Sequence, residues 1–245
     1  TFFVDVGYLV KLETYKLSHP NLAKDLSLIK SQLHQVIQEG HDIQLHIHPH
    51  WEKSFYDQNG WQMNTTSYYR LHDFSASEID QIVSKYKSYL EELIDRPVNA
   101  FRAGGWCIQP FDRLKDIFMK HNIRIDSSVM RNAKMESGNY YFNFINAPDK
   151  DIYKFEKDIL NEDENGFFTE YPISSRKYSP LFYWKLYVLG RLNPSNHKMI
   201  GDGNFMAQPG RKKSVLTKST WNHLSMDGYY SSMLIKAKKE LEDQN

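Results

Sequence analysis

Four of the ten histidines in this chain fall between Gly40 and Trp51, in the run GHDIQLHIHPHW. Three of them, His46, His48 and His50, alternate along it. On a strand, His46 and His48 point to one face. Pro49 interrupts the ladder, so His50 can swing back toward either. Neutral imidazoles are common ligands for zinc and similar ions, so this spacing predicts a metal site. A metal ion held so is a Lewis acid that can polarise a carbonyl and make bound water a better nucleophile. Side chains able to move protons or fix charge recur farther along, at Arg102 in FRAGGW, Asp126 in IRIDSSV and Glu170 in FFTEYPI. Asp5 closes the opening run TFFVD. Trp51, Trp61 and Trp106 have rings broad enough to stack on sugars.

The elements that must position these residues follow from periodicity. TFFVDVG (1–7) is aromatic and β-branched and stops at glycine, which predicts a buried strand. Between Asn21 and Gln38, Leu22, Leu26, Ile29, Leu33, Val36 and Ile37 fall three and four apart, one face of a helix. Pro20 and Gly40 bracket that helix as start and stop signals. DIQLHIH alternates and predicts a strand, and 51–73 reads as a long loop. Ser75 and Glu78 form a capping-box pattern ahead of a second helix. VNAFR, FDRLKDIFMKHN and IRIDSSV predict strand, helix and strand, and FFTEYPI a further strand. Later helices are expected near 183–192 and 229–242. Alternating strands and helices predict an α/β fold, a parallel sheet covered by helices, in a single domain. In such folds sites lie at the carboxyl ends of the strands. There stand Asp5, the three histidines, Arg102, Asp126 and Glu170.

Composition narrows the functions. Thirty-one basic residues against thirty acidic ones give net charge +1, which speaks against a surface built around nucleic-acid phosphates or an anionic membrane. The basic run 210–218 reads as a solvated loop and helix face. Cys107 is the sole cysteine, so there is no intrachain disulfide and no cysteine metal cluster. No run approaches a membrane span. Aromatic content is 14%, enough to line a carbohydrate site as well as a core.

Among metal-site patterns, the helical His-Glu-x-x-His is excluded by Pro49 and by the lack of a glutamate between the histidines. His46-Ile47-His48 meets an amidohydrolase-like His-x-His formally, with nothing clear downstream to complete it. The chain resembles the polysaccharide deacetylase family of the NodB-homology type. TFFVDV resembles that family's ATFFV strand, GHDIQLHIHPHW its GHEIGNHTYSHP segment, and FRAGGW its FRPPYG segment at Phe101 and Arg102. Ala103, Gly104 and Trp106 depart from the last pattern and mark a variant branch, one associated with bacterial surface polysaccharides.

The resemblance implies a distorted (β/α) barrel and removal of N- or O-linked acetyl groups from a polysaccharide or glycan precursor. It implies His46 and His50 as ligands of a divalent metal, zinc foremost, with cobalt, nickel or manganese possible. Arg102 would orient a base carboxylate, and NIRIDSSV resembles the strand whose Asp, here Asp126, helps shape the substrate groove. His48, Arg102 and Asp126 are therefore the expected catalytic group, and Trp51, Trp106 and Glu170 the expected substrate contacts. The family's Asp-Asp motif precedes ATFFV and its acid-histidine motif follows the last helix. The resemblance thus predicts a fragment lacking the first and last barrel strands. His223 and Asp227 in WNHLSMDG fit the acid-histidine motif poorly, and turn chemistry explains Asp202 in GDGN; His197 is a weak candidate. The alternatives are a carbohydrate-binding relative without turnover and, more weakly, an amidohydrolase-like hydrolase.

Overall fold

Strand β1 (Phe2–Asp5) runs parallel to β2 (Ile43–Ile47), pairing Asp5 with His46. This is a computed structural model, and it describes residues 1–194 and 211–223, with isolated positions 235, 238, 239 and 242. His197, Asp202, Asp227 and nearly all of the helix expected at 229–242 lie outside the described residues. The chain divides into two compact units, Thr1–Pro172 and Ile173–Asn245.

In the first unit a six-stranded sheet has the order β1-β2-β5-β6-β10-β9. Here β5 is Ala100–Ala103, β6 Ile125–Asp126, β9 Tyr153–Phe155 and β10 Phe168–Glu170. All neighbours are parallel except β9, which runs antiparallel to β10. The result is the expected α/β arrangement with a mainly parallel sheet. The described strands form an open sheet with β1 and β9 at its edges, so they do not close the barrel that the resemblance implies.

Helices α1 (Val6–Tyr15), α2 (Pro20–Gln38), α3 (Ala76–Ile94) and α4 (Asp112–Lys120) connect the parallel strands. Helix α2 buries Leu22, Leu26 and Leu33. The capping box of α3 is formed: Glu78 N–H donates to Ser75 Oγ and the Glu78 carboxylate accepts from Ser75 N–H. Its buried stripe of Ile79, Ile82, Val83, Tyr86, Leu90 and Ile94 is the periodic face of the sequence. Two elements depart from expectation. The first strand gives way to helix at Val6 rather than running to Gly7. The long loop holds a hairpin, β3 (Phe55–Asp57) with β4 (Gly60–Gln62). A further hairpin pairs β7 (Lys134–Ser137) with β8 (Tyr140–Asn143).

The second unit contains β11 (Ser175–Tyr178), α5 (Pro180–Leu192), α6 (Arg211–Thr217) and β12 (Thr220–His223), with β11 and β12 antiparallel. Tyr178, Tyr183, Leu186 and Val215 form its core. Among the described residues no helix is long and apolar enough to cross a membrane.

Candidate functional site

Register decides which ionisable residues meet. Asp5, His46 and Arg102 pair across β1, β2 and β5 in one row, so they share a face of the sheet. Leu45, Phe101, Asp126 and Glu170 form the adjacent row across β2, β5, β6 and β10. Because side chains alternate along a strand, this second row faces the other way. On that face Phe101 packs edge-on against Phe118 of α4, with ring centroids 4.9 Å apart.

The first row continues into the histidine cluster. His46 and His48 rings lie 4.7 Å apart, and His48 and His50 rings 5.4 Å apart. His50 sits in a short 3-10 turn, Pro49–Lys53, that begins where Pro49 ends the strand. His46 Nδ1 lies 2.8 Å from the carbonyl oxygen of Arg102. A carbonyl only accepts, so Nδ1 carries the proton and Nε2 keeps its lone pair. Burial, with His48 nearby, pushes the His46 pKa down to about 4, and burial does the same for His48. Burial also lowers His50. Both His46 and His48 are neutral at pH 7, the form in which imidazole binds metal.

Asp5 is the carboxylate of the cluster. The Trp51 indole N–H donates to Asp5 Oδ2 at 2.8 Å. Burial pushes its carboxyl above the usual range; the Trp51 hydrogen bond and the nearby His46 imidazole pull it back. Asp5 Oδ1, His48 Nδ1 and His50 Nδ1 are buried and have no hydrogen-bond partner among the described residues. Buried polar atoms are ordinarily satisfied, so unpaired atoms on three neighbouring residues of the cluster fit a site that takes a ligand. The lone pair on His46 Nε2 and the orphaned His50 nitrogen suit a divalent ion. Among the described residues, however, no three His, Cys, Asp or Glu side chains are grouped to hold one.

Arg102 stands at the other end of the row. Its Nε donates to the Ser127 carbonyl and its Nη2 to Ser127 Oγ, both at 2.7 Å. The guanidinium carbon lies 4.3 Å from the centroid of the Phe3 ring. Beside Arg102 opens a cavity of about 500 Å³, lined by Phe3, His46, Arg102, Gly105, Trp106 and Tyr140. A larger groove of about 720 Å³ is lined by α2 alone and holds none of these groups.

The two glycines of FRAGGW have a steric cause. A Cβ on Gly104 would sit 2.6 Å from the Ile47 carbonyl oxygen and 2.8 Å from His48 Nδ1. At Gly105 φ is +57°, and a Cβ there would meet the Tyr69 and Tyr140 rings. The turn after β5 presses on the histidine strand, and only glycine permits the approach.

Three expected residues stand elsewhere. Asp126 and Glu170 are 1% and 0% exposed and lie in the opposite-facing row. They meet each other, not the histidines. Asp126 accepts from the backbone N–H and the hydroxyl of Ser128, and Glu170 accepts from Val129 N–H. Burial raises Asp126 to about 6 and Glu170 well above the normal carboxyl range. The otherwise unpaired Oε2 of Glu170 faces the Asp126 carboxyl, whose charge adds to burial in raising it. Neither side chain lines the cavity beside Arg102. Trp51 is also buried, at 8% exposure, among Tyr8, Trp61 and His50. It anchors Asp5 rather than stacking on a sugar. Trp106 does line the cavity. His223, on β12, belongs to the second unit.

Asp5 is the residue that the resemblance left without a role. Its place at a strand end was visible in the sequence; its pairing opposite His46 was not.

No family model matches the chain, and no curated protein matches it. A solved structure from Mycobacterium smegmatis, assigned to the polysaccharide deacetylases, aligns at a TM-score of 0.33 and 16% identity. The alignment covers 71% of this chain and 40% of that one. A likeness this slight bears on neither fold nor function.

Proposed function

We propose that this chain is a metal-dependent hydrolase that removes acetyl groups from a carbohydrate. The observation that carries this reading is the cluster of Asp5, His46, His48 and His50, with three buried unpaired polar atoms, whose His46 lines the cavity beside Arg102 and Trp106. A divalent ion held by His46 and His50, zinc foremost and cobalt, nickel or manganese next, would supply Lewis acidity to the acetyl carbonyl and to water. The protein's own groups do the rest. The Arg102 carbonyl fixes His46 in the tautomer that presents Nε2. Asp5, held by Trp51, offers Oδ1 as the proton acceptor. His48, neutral with Nδ1 unpaired, can take up a proton and return it to the leaving nitrogen or oxygen. The Trp106 ring gives the cavity an apolar wall for a sugar face.

A second reading, carbohydrate binding without turnover, draws on the absence of a grouped three-ligand set among the described residues. One experiment separates the two. Metal content of the dialysed chain is measured by mass spectrometry beside His46→Ala/His50→Ala and Asp5→Asn. Acetate release from acetylated chito-oligosaccharides is then followed. The hydrolase reading expects stoichiometric metal in the parent and none in the double variant. It expects Asp5→Asn to lower acetate release by about 10²–10⁴-fold. Metal without acetate release supports binding alone, and no metal in the parent removes the metal-dependent reading.

A further inference from the structure

Helix α5 begins at Pro180, with Ser179 as its N-cap, and contains no acidic residue. Its inner face carries Tyr183 and Leu186, packed with Tyr178 and Val215. At about 100° per residue, Leu181, Trp184, Val188 and Leu192 fall on the opposite side. These four are 77%, 47%, 44% and 78% exposed. A helix normally turns polar residues outward, so this one is apolar on both faces. On the same helical wheel Lys185 flanks the outer stripe on one edge and Arg191 on the other, and both are exposed. The Trp184 indole N–H donates to the Leu216 carbonyl at 3.1 Å, which holds the ring in place with half its surface outward.

Charge says what covers this face. The unit Ile173–Asn245 has twelve Lys and Arg against five Asp and Glu, a net charge of +7. The unit Thr1–Pro172 has nineteen against twenty-five, or −6. Near-neutrality of the whole chain hides this asymmetry. Exposed lysines continue beyond α5, at Lys177 on β11 and at Lys213 and Lys218 in and after α6. A nucleic acid would match the charge but leave the Leu–Trp–Val stripe in water. A lipid bilayer with anionic headgroups matches both.

We propose that the outer face of α5 lies in the surface of an anionic membrane, with Leu181, Trp184, Val188 and Leu192 among the acyl chains and Lys185 and Arg191 at the headgroups. The helix lies on the membrane and does not span it. This inference is independent of the hydrolase reading.

Flotation of the full chain with vesicles tests it, using phosphatidylcholine with or without phosphatidylserine. The parent floats with phosphatidylserine vesicles and is released by salt. Leu181→Gln/Val188→Gln/Leu192→Gln keeps Trp184 and the inner face, so it folds as judged by circular dichroism, and stays at the bottom of the gradient. Lys185→Gln/Arg191→Gln loses about thirtyfold in partitioning to phosphatidylserine vesicles, at roughly fivefold per charge. Three results overturn the proposal: a parent that does not float, flotation untouched by the triple variant, or a parent that remains in solution as a dimer which the triple variant dissociates. The last would make a second copy the occupant.

Discussion

His72 shows how one buried side chain sets a pH limit. It is buried, and its Nε2–H donates to the Pro110 carbonyl at 2.8 Å, while Nδ1 has no partner among the described residues. Burial pushes its pKa from 6.5 to about 4, and the Arg70 and Arg113 charges add to the effect. Its folded-state pKa is depressed, so the unfolded chain binds a proton that the folded chain refuses. Stability is therefore whole above about pH 6.5 and falls toward pH 4, by roughly 3 kcal/mol for this residue. His72→Gln keeps a donor for Pro110 and cannot titrate. Urea unfolding across this range checks the outcome: the variant is about 1 kcal/mol weaker at neutral pH, overtakes the parent near pH 6 and is about 2 kcal/mol the more stable at pH 4. The same scale shows what could be read in advance. His46, His48 and His50 were legible because alternation in one strand is a property of one segment. The pairing of Asp5 with His46, the Trp51 anchor and the inward turn of Asp126 depend on register between strands far apart in sequence, and nothing within a segment encodes that.

At the scale of elements, Asp126 and Glu170 brace the turn after β6. Ser128 Oγ accepts from Ala103 N–H and donates to Asp126, and Ser127 takes the Arg102 fork. The buried acids thus hold Arg102 at a distance, through the turn. Glu170→Gln keeps an acceptor for Val129 N–H and a donor toward Asp126, so it stays within about 1 kcal/mol of the parent. Glu170→Ala strands a buried N–H and costs about 1–3 kcal/mol in urea unfolding. Neither changes KM for an acetylated sugar beyond the effect of stability, whereas a substrate-contacting Glu170 would raise KM in both. The raised carboxyls also carry the opposite pH sense to His72: their contribution is full in acid and is lost as pH rises through the folded-state values. Helices α2 and α3 were legible because 3.6-residue periodicity persists over 19 residues in each. Helix α1 was masked by the continuous apolar run of TFFVDV. The β3–β4 hairpin did carry a local signal, Asn59 before Gly60 at φ +95°, within a segment otherwise without period.

At the scale of the whole molecule, the residues of the candidate hydrolytic site and the candidate membrane face belong to different units. Asp5, the histidines, Arg102, Trp106 and all six strands of the sheet lie within Thr1–Pro172. Leu181 to Leu192 lie within Ile173–Asn245. The first unit has the size of an ordinary domain, large enough to bury roughly 70% of the surface its unfolded chain exposes. Its buried side chains include Leu45, Ile47, Phe101, Phe111, Phe118 and Phe155, so its core is its own. Expressed alone, Thr1–Pro172 is expected to unfold in one cooperative urea transition and to hold as much metal as the full chain. With net charge −6 it should bind an anion exchanger at neutral pH and leave phosphatidylserine vesicles unattended, in contrast to the full chain. A fragment that is insoluble, or that loses its metal while the full chain keeps it, would mean that the second unit helps build the site. A fragment that still floats with the vesicles would move the membrane contact off α5. The charge balance of the complete sequence pointed away from a membrane because it averages two units of opposite sign, and only the division of the chain exposes the difference.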